Sequence, residues 1–398
     1  MVSMRPRVQS SAEASTNMAE RFTILHRDKK TKARVGVLLT RSGKIETPFF
    51  MPVATKTAVK HISTCDLHKM KANAVISNAF VLFLRPGTEL IKKMGGIAKF
   101  MSFNGIVFTD SGGFQMYSPR LYVGSKEEGV TFRNPYTAQK LFVTPEKDME
   151  IQLDLGSDVA MCLDSMPLIS DSKKSVAEAV RKTGVWARKC KIQHDKLQRN
   201  LKQNRKQLLF GIIQGGIHKD LREKSAREIV SIGFDGYSIG GLALGEPKKE
   251  EYKMIGVAKS IIPEKKPVYL MGAGDPLELL EAISRGCDIF DSRFPTQNAR
   301  RGAIFTSKGR INIKGAGFKE DNGSIDDECS CFVCKNYSRA YIRHLLLQEE
   351  GAGMRLATYH NLHYIQRLME SAKEAIKSGK FKEFLLGFRK KQKIYRKI

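Results

Sequence analysis

From residue 47 onward, short apolar runs rich in β-branched and aromatic residues recur, and most are followed by a segment whose apolar positions have helical spacing. That alternation is the mark of parallel strands joined by crossover helices. Eight runs predict strands, at 48–53, 74–77, 106–109, 159–163, 208–213, 236–239, 268–271 and 288–290. Eight such units predict a (β/α)8 TIM barrel, with reactive groups on the loops that follow the strands. A doubly wound open sheet would show the same alternation. Polar or glycine-rich residues, however, end seven of the eight runs, at Asn78, Asp110, Asp164, Gln214, Gly240, Gly272 and Asp291. A ring of loops accounts for that better than a single crevice.

Two stretches interrupt the spacing. Gly129-Val130-Thr131-Phe132 before Asn134-Pro135 predicts a β-hairpin inserted near 117–143. Further short apolar runs near 303–313, a cysteine cluster and a helical run from Ser338 predict an attached zinc-binding subdomain over 303–364. The expected division is a disordered leader over 1–20, the barrel over 21–302, the zinc subdomain, and a basic C-terminal helix over 365–398. The leader contains Glu13 and Glu20 and has no apolar stripe, which fits disorder better than a targeting segment.

The chain carries 68 Lys and Arg against 41 Asp and Glu, a formal charge of +27. Such an excess favours a polyanionic partner through charge neutralisation and counterion release, so RNA or DNA fits better than an acidic small molecule. No window approaches a membrane span, and Cys65, Cys162, Cys190 and Cys287 stand isolated in apolar surroundings. A cytoplasmic protein with reduced thiols is expected, without a disulfide framework.

Cys329, Cys331 and Cys334 bring three thiolates within six residues, close enough for one turn of chain to wrap a tetrahedral zinc ion. The fourth ligand must come from downstream, from His344, His360 or His363. His360 is preferred, because the intervening segment leaves room for a helix that returns the chain to the cysteines. A closed set of four makes the metal structural, stabilising the subdomain by roughly 10 kcal/mol or more. It also speaks against a metal-assisted hydrolase, which needs an open coordination position.

Asp110, Asp164 and Asp291 end three different predicted strands, so a barrel would gather them at one mouth. A single aspartate there serves equally well as a helix N-cap, but three together favour chemistry. One carboxylate can displace a base from a sugar C1′ to form a covalent glycosyl intermediate while another carboxyl group moves the proton. Gln214-Gly215-Gly216 and the glycine-rich run from Gly240 to Glu246 would let backbone amides approach a flat ligand closely.

Several segments, in order, resemble the tRNA-guanine transglycosylase (queuine tRNA-ribosyltransferase) family. They are Thr109-Asp110-Ser111-Gly112-Gly113-Phe114-Gln115, Gly211-Ile212-Ile213-Gln214-Gly215-Gly216, Gly241-Leu242-Ala243-Leu244-Gly245-Glu246, Tyr269-Leu270-Met271-Gly272 and the run from Asp291 to Gly302. Tyr359-His360-Asn361-Leu362 with the cysteines matches the family's zinc pattern and supports His360. The resemblance implies exchange of guanine at the wobble position of tRNAs with GUN anticodons for a 7-deazaguanine base, preQ1 or queuine. It assigns Asp291 as nucleophile and Asp110 as general acid/base that also contacts the base. Asp164, Gln214 and the backbone at Gly241 and Leu242 would hydrogen-bond the base, and Phe114 and Met271 would sandwich it. Arg293, Thr296, Gln297, Arg300 and Arg301 would face the RNA.

Some positions depart from the family pattern. Pro295-Thr296-Gln297 stands where the usual motif reads Pro-Thr-Arg, which removes a cation. Asp164-Ser165-Met166 and Leu244 match neither the usual bacterial pattern nor the eukaryotic catalytic subunit, so both incoming bases stay open. A bacterial-type homodimer is expected. The alternative is a non-catalytic tRNA-binding subunit of a heteromeric transglycosylase, but such a subunit is free to lose Asp110 or Asp291, and this chain has both.

Overall fold

The computed structural model describes residues 20–113 and 121–395, with side chains through Lys391. The expected leader, apart from Glu20, and Phe114 lie outside the described residues.

An antiparallel sheet of β1 (Phe22–Arg27), β2 (Arg34–Thr40) and β3 (Gly43–Thr47) comes first. The barrel begins with β4 (Phe49–Pro52), β5 (Ala74–Asn78) and β6 (Ile106–Asp110). An inserted sheet of β7 (Tyr122–Ser125), β8 (Val130–Arg133) and β9 (Lys140–Val143) follows. The barrel then resumes with β10 (Val159–Met161), β11 (Leu208–Ile213), β12 (Gly236–Ile239), β13 (Val268–Leu270) and β14 (Ile289–Ser292). The parallel order is β4-β14-β13-β12-β11-β10-β6-β5. A Val53–Ile76 bridge, with the Ala54 N–H donating to Ile76 O at 2.7 Å, joins β5 back to β4. All eight predicted strands are present, and the last extends far enough to include Asp291.

Alternation along each strand builds two cores. Phe49, Met51, Ile76, Phe108, Met161, Phe210, Ile212, Tyr269 and Ile289 fill the barrel axis, while Phe50, Val75, Val107, Leu209, Val268 and Leu270 face the helical layer. Burial on both faces explains why these strands are almost wholly apolar. Phe22, Leu38 and Ile45 of the first sheet join the axial cluster, so that sheet plugs the end where the strands begin. The sequence reading placed this segment in the barrel domain without recognising its strands.

Two expectations need correction. The insertion is a three-stranded sheet, not a hairpin, because β9 pairs back onto β8 and helps bury Val130, Phe132 and Val143. The boundary expected at 364 falls inside one 27-residue helix, Gly351–Lys377. The C-terminal segment is the end of that helix followed by a second, Phe381–Tyr395, with Gly379 at φ +68 between them.

The subdomain opens with a ribbon of β15 (Ala303–Thr306) and β16 (Gly309–Asn312). It is tied to the barrel by the long helix. Asn361 Nδ2 donates to Pro295 O and Ala303 O, each at 3.1 Å, and Gln366 Nε2 donates to Phe50 O at 3.1 Å. Among the described residues no helix is long and apolar enough to cross a membrane.

Candidate active site and metal centre

The alternation that fills the barrel also sets its mouth. The next inward position above Ile76 is Asn78, above Phe108 Asp110, above Ile212 Gln214, above Tyr269 Met271, and above Ile289 Asp291. These residues line a cavity of about 400 Å³, joined by Asp164, Met166 and the Gly240–Leu244 turn. Asp164 arrives from the loop just beyond β10 and is 6% exposed.

Among the described residues Asp291 is held through one oxygen. Tyr269 Oη donates to Asp291 Oδ1 at 2.5 Å, and the Gly272 N–H donates to the same oxygen at 3.0 Å. Burial raises the Asp291 pKa, while those two donors and the Arg293 charge pull it back. Burial pushes Asp110 up to about 7; the Asn78 amide opposes the shift and the charges of Asp291 and Asp164 add to it. The Asn78 Oδ1 meanwhile accepts from the Val81 N–H at 2.8 Å, so one side chain caps a helix and also serves Asp110. Asp110 is therefore poised to give or take a proton near neutral pH.

Asp164 and Gln214 lie side by side along one edge of the cavity. Gln214 Nε2 donates to Asp164 Oδ2 at 2.6 Å, and burial pushes Asp164 up to about 6 against that donation. Gln214 Oε1 is buried and accepts no hydrogen bond among the described residues. A buried acceptor without a donor is costly, and a planar ligand carrying N–H groups would satisfy it. Two glycines make room for this edge. A Cβ at Gly113 would lie 2.3 Å from Asp164 Oδ1, and Gly241, at φ +65, would place one 2.5 Å from Gln214 Oε1.

Leu242 is buried beside the cavity, and Met271 lines it half-buried. In the helix Phe294–Arg300, Arg293 and Arg301 are exposed at its two ends, and Gln297 reaches the cavity wall. Arg300 is half-buried. Thr296 is 6% exposed and its hydroxyl donates to Arg293 O at 3.1 Å, so its side chain serves the start of the helix.

The second cluster lies in the subdomain. Ligating atoms of Cys329, Cys331, Cys334 and His360 all fall within 4.8 Å of one another and could hold one metal ion. His360 Nε2 lies 2.7 Å from the Phe305 carbonyl, which can only accept, so Nε2 carries the proton. Nδ1 is then the nitrogen left to bind a metal, and it faces Cys331 Sγ at 3.6 Å and Cys334 Sγ at 3.3 Å. That tautomer is the one a metal ligand needs. Of the other candidates, His363 Nδ1 approaches Cys329 Sγ at 3.7 Å, outside the set of four.

Sequence reasoning found the three aspartates and the glutamine but gave no role to Tyr269 or Asn78. Tyr269 reads as one more aromatic in an apolar strand, and only its inward register above the axial core would have placed its hydroxyl at the mouth.

A family model described as queuine tRNA-ribosyltransferase matches residues 28–394. A queuine tRNA-ribosyltransferase of Halothermothrix orenii is 44% identical over 367 residues, covering 92% of this chain and 96% of its own length. One from Lysinibacillus sphaericus is 45% identical over 369 residues, 93% of this chain and 95% of its own. One from Staphylococcus aureus is 45% identical over 356 residues, 89% and 92% respectively. On the match over residues 28–394 and these identities over most of each chain, the chain belongs to the queuine tRNA-ribosyltransferase family.

Proposed function

We propose that this enzyme exchanges guanine at the anticodon wobble position of tRNA for a 7-deazaguanine base, through a ribosyl ester on Asp291. The observation that carries the reading is the one-sided hold on Asp291. Its Oδ1 is engaged by Tyr269 and Gly272, which leaves Oδ2 for attack at C1′. The new Oδ2–C1′ bond forms as the C1′–N9 bond breaks, and the electron pair leaves with guanine. Asp110 supplies the proton that neutralises the departing base, then takes one from the incoming base as its nitrogen displaces the ester. A carboxyl group near neutral pKa suits both steps.

Asp164 and Gln214 would receive the base's N–H edge, with Gly241 and Leu242 contributing backbone groups and Met271 one apolar face. Phe114, outside the described residues, stays assigned to the other face on resemblance alone. Arg293, Arg300 and Arg301 would meet the anticodon loop, with Gln297 in place of a further cation and Thr296 supporting the helix that carries them. Zinc suits the three thiolates and the neutral imidazole nitrogen, and when bound it would cross-link the subdomain.

The test uses purified protein, tRNA bearing guanine at the wobble position, and labelled guanine displaced by preQ1 or queuine in parallel. Exchange establishes the reaction, and the preferred base assigns the pocket. Intact tRNA binding with no exchange would overturn the reading in favour of a non-catalytic subunit.

A further inference from the structure

Arg222, on the helix Lys219–Ile232 that follows β11, is 0% exposed yet makes no ion pair among the described residues. A buried cation without a carboxylate partner is expensive, so what its donors reach matters. Arg222 Nη1 donates to Ile213 O and to Gly240 O, both at 2.8 Å, and Nη2 donates to Gly216 O at 2.7 Å. These carbonyls belong to the peptides just before Gln214 and Gly241 and to the turn between β11 and its helix. One nitrogen thus spans β11 and β12 where they part, next to their ladder bond from Gly240 N–H to Ile213 O at 3.0 Å.

The consequence reaches the cavity through peptide geometry. In a trans peptide the C=O and the following N–H point opposite ways. With the Gly240 carbonyl drawn down to the guanidinium, the Gly241 N–H is turned away from Arg222 towards the cavity that Gly241 lines. The turn also rests directly on the helix, since a Cβ at Gly215 would lie 2.6 Å from Arg222 N. Ser225 Oγ, one turn further along, accepts from the Gln214 N–H at 3.0 Å. The planar fork of a guanidinium can hold carbonyls on two strands at a fixed separation; a lysine ammonium cannot reproduce that geometry.

We propose that Arg222 is a positioning residue for base recognition, fixing the Gly241 N–H relative to the Gln214 side chain. This rests on the transglycosylase reading above. Neither ribose attack nor RNA contact is routed through it, so its loss should fall hardest on the free base, whereas tRNA keeps its own contacts to the protein.

The test compares wild type with Arg222→Met and Arg222→Lys in steady-state exchange, varying guanine and tRNA separately, with guanine binding measured by calorimetry. Expected is a rise of about tenfold in guanine KM and Kd, the factor for one lost hydrogen bond, with tRNA KM within about twofold. Arg222→Lys should recover only part of the loss. Added guanidinium ion should restore guanine binding in Arg222→Ala. A folded Arg222→Met with wild-type guanine constants overturns the proposal, as does a parallel rise in tRNA KM. If the Met variant does not fold, an Arg222→Lys enzyme with unaltered guanine KM overturns it equally. Wild type that binds guanine but never exchanges it would sink the transglycosylase reading instead, and calorimetry on the variants would still decide the role of Arg222.

Discussion

The two ends of the barrel treat charge in opposite ways. At the floor, Arg34 is buried and fully engaged: Nε and Nη2 donate to the two oxygens of Asp288 at 2.9 and 2.6 Å, and further bonds reach Glu264 O at 2.6 Å and Lys266 O at 2.8 Å. Asp288 in turn accepts from the Val268 N–H at 2.7 Å. At the mouth, three aspartates crowd one cavity and all three have raised pKa values. Both ends are built from the same eight strands. Charge at the floor is locked in an ion pair and serves stability, whereas at the mouth burial raises three neighbouring carboxyl groups held chiefly by neutral donors, a pattern that suits chemistry.

Breaking one end should therefore move a different observable from breaking the other. The largest effect expected is Asp291→Asn, which should lower base exchange by about a thousandfold or more, since an amide forms no ribosyl ester. Its melting temperature should equal or exceed wild type; a normal exchange rate would remove Asp291 from the nucleophile role. The floor counterpart is Arg34→Met, which strands Asp288 in the core and should cost about 3–5 kcal/mol in denaturant unfolding. Turnover per folded molecule should hardly change, and a selective loss of turnover would erase the contrast. Cys331→Ala should lose bound zinc and melt at lower temperature; full zinc with unchanged melting would refute the metal assignment.

Smaller effects sharpen the same contrast. Tyr269→Phe removes one of two donors to Asp291 Oδ1 and should slow exchange about tenfold. Unaltered rates would leave Gly272 as the effective support. The smallest change expected is thermal. Asp110 is raised to about 7 in the fold, against about 3.9 in an unfolded chain. The unfolded chain loses this proton first as pH rises, so Asp110 costs stability progressively between those values. Asp110→Asn should melt roughly 5 °C above wild type at pH 8, with the gap closing by pH 4. A gap independent of pH would point to packing instead of charge.

Much of the mouth was legible because strand period and strand end together fix direction. Asp110 and Asp291 could be placed at one site without knowing a single contact. Tyr269 could not, since an aromatic within an apolar strand has the same pattern whether or not its hydroxyl emerges at the mouth. Arg222 was missed for a similar reason: in the helix Lys219–Ile232 it sits among charged residues and reads as solvated face, and its burial depends on turns contributed by two other strands. The first sheet escaped notice because β1 has only Phe22 fully buried, giving too short an apolar pattern to stand out. β7 is likewise weak, with no fully buried residue and Gly124 in its middle, so three inserted strands looked like two.

The helix Gly351–Lys377 carries His360 of the metal cluster and, one residue on, the Asn361 amide that holds the backbone of Pro295, four residues past Asp291. The part that holds the cysteine cluster is consequently not a detachable module. A chain cut at the start of β15 would leave the segment after Asp291 without its anchor and β4 without the Gln366 contact. Shuffling or trimming the protein at the apparent domain border would thus unbrace the barrel it meant to preserve, since the Asn361 and Gln366 amides would leave with the removed part.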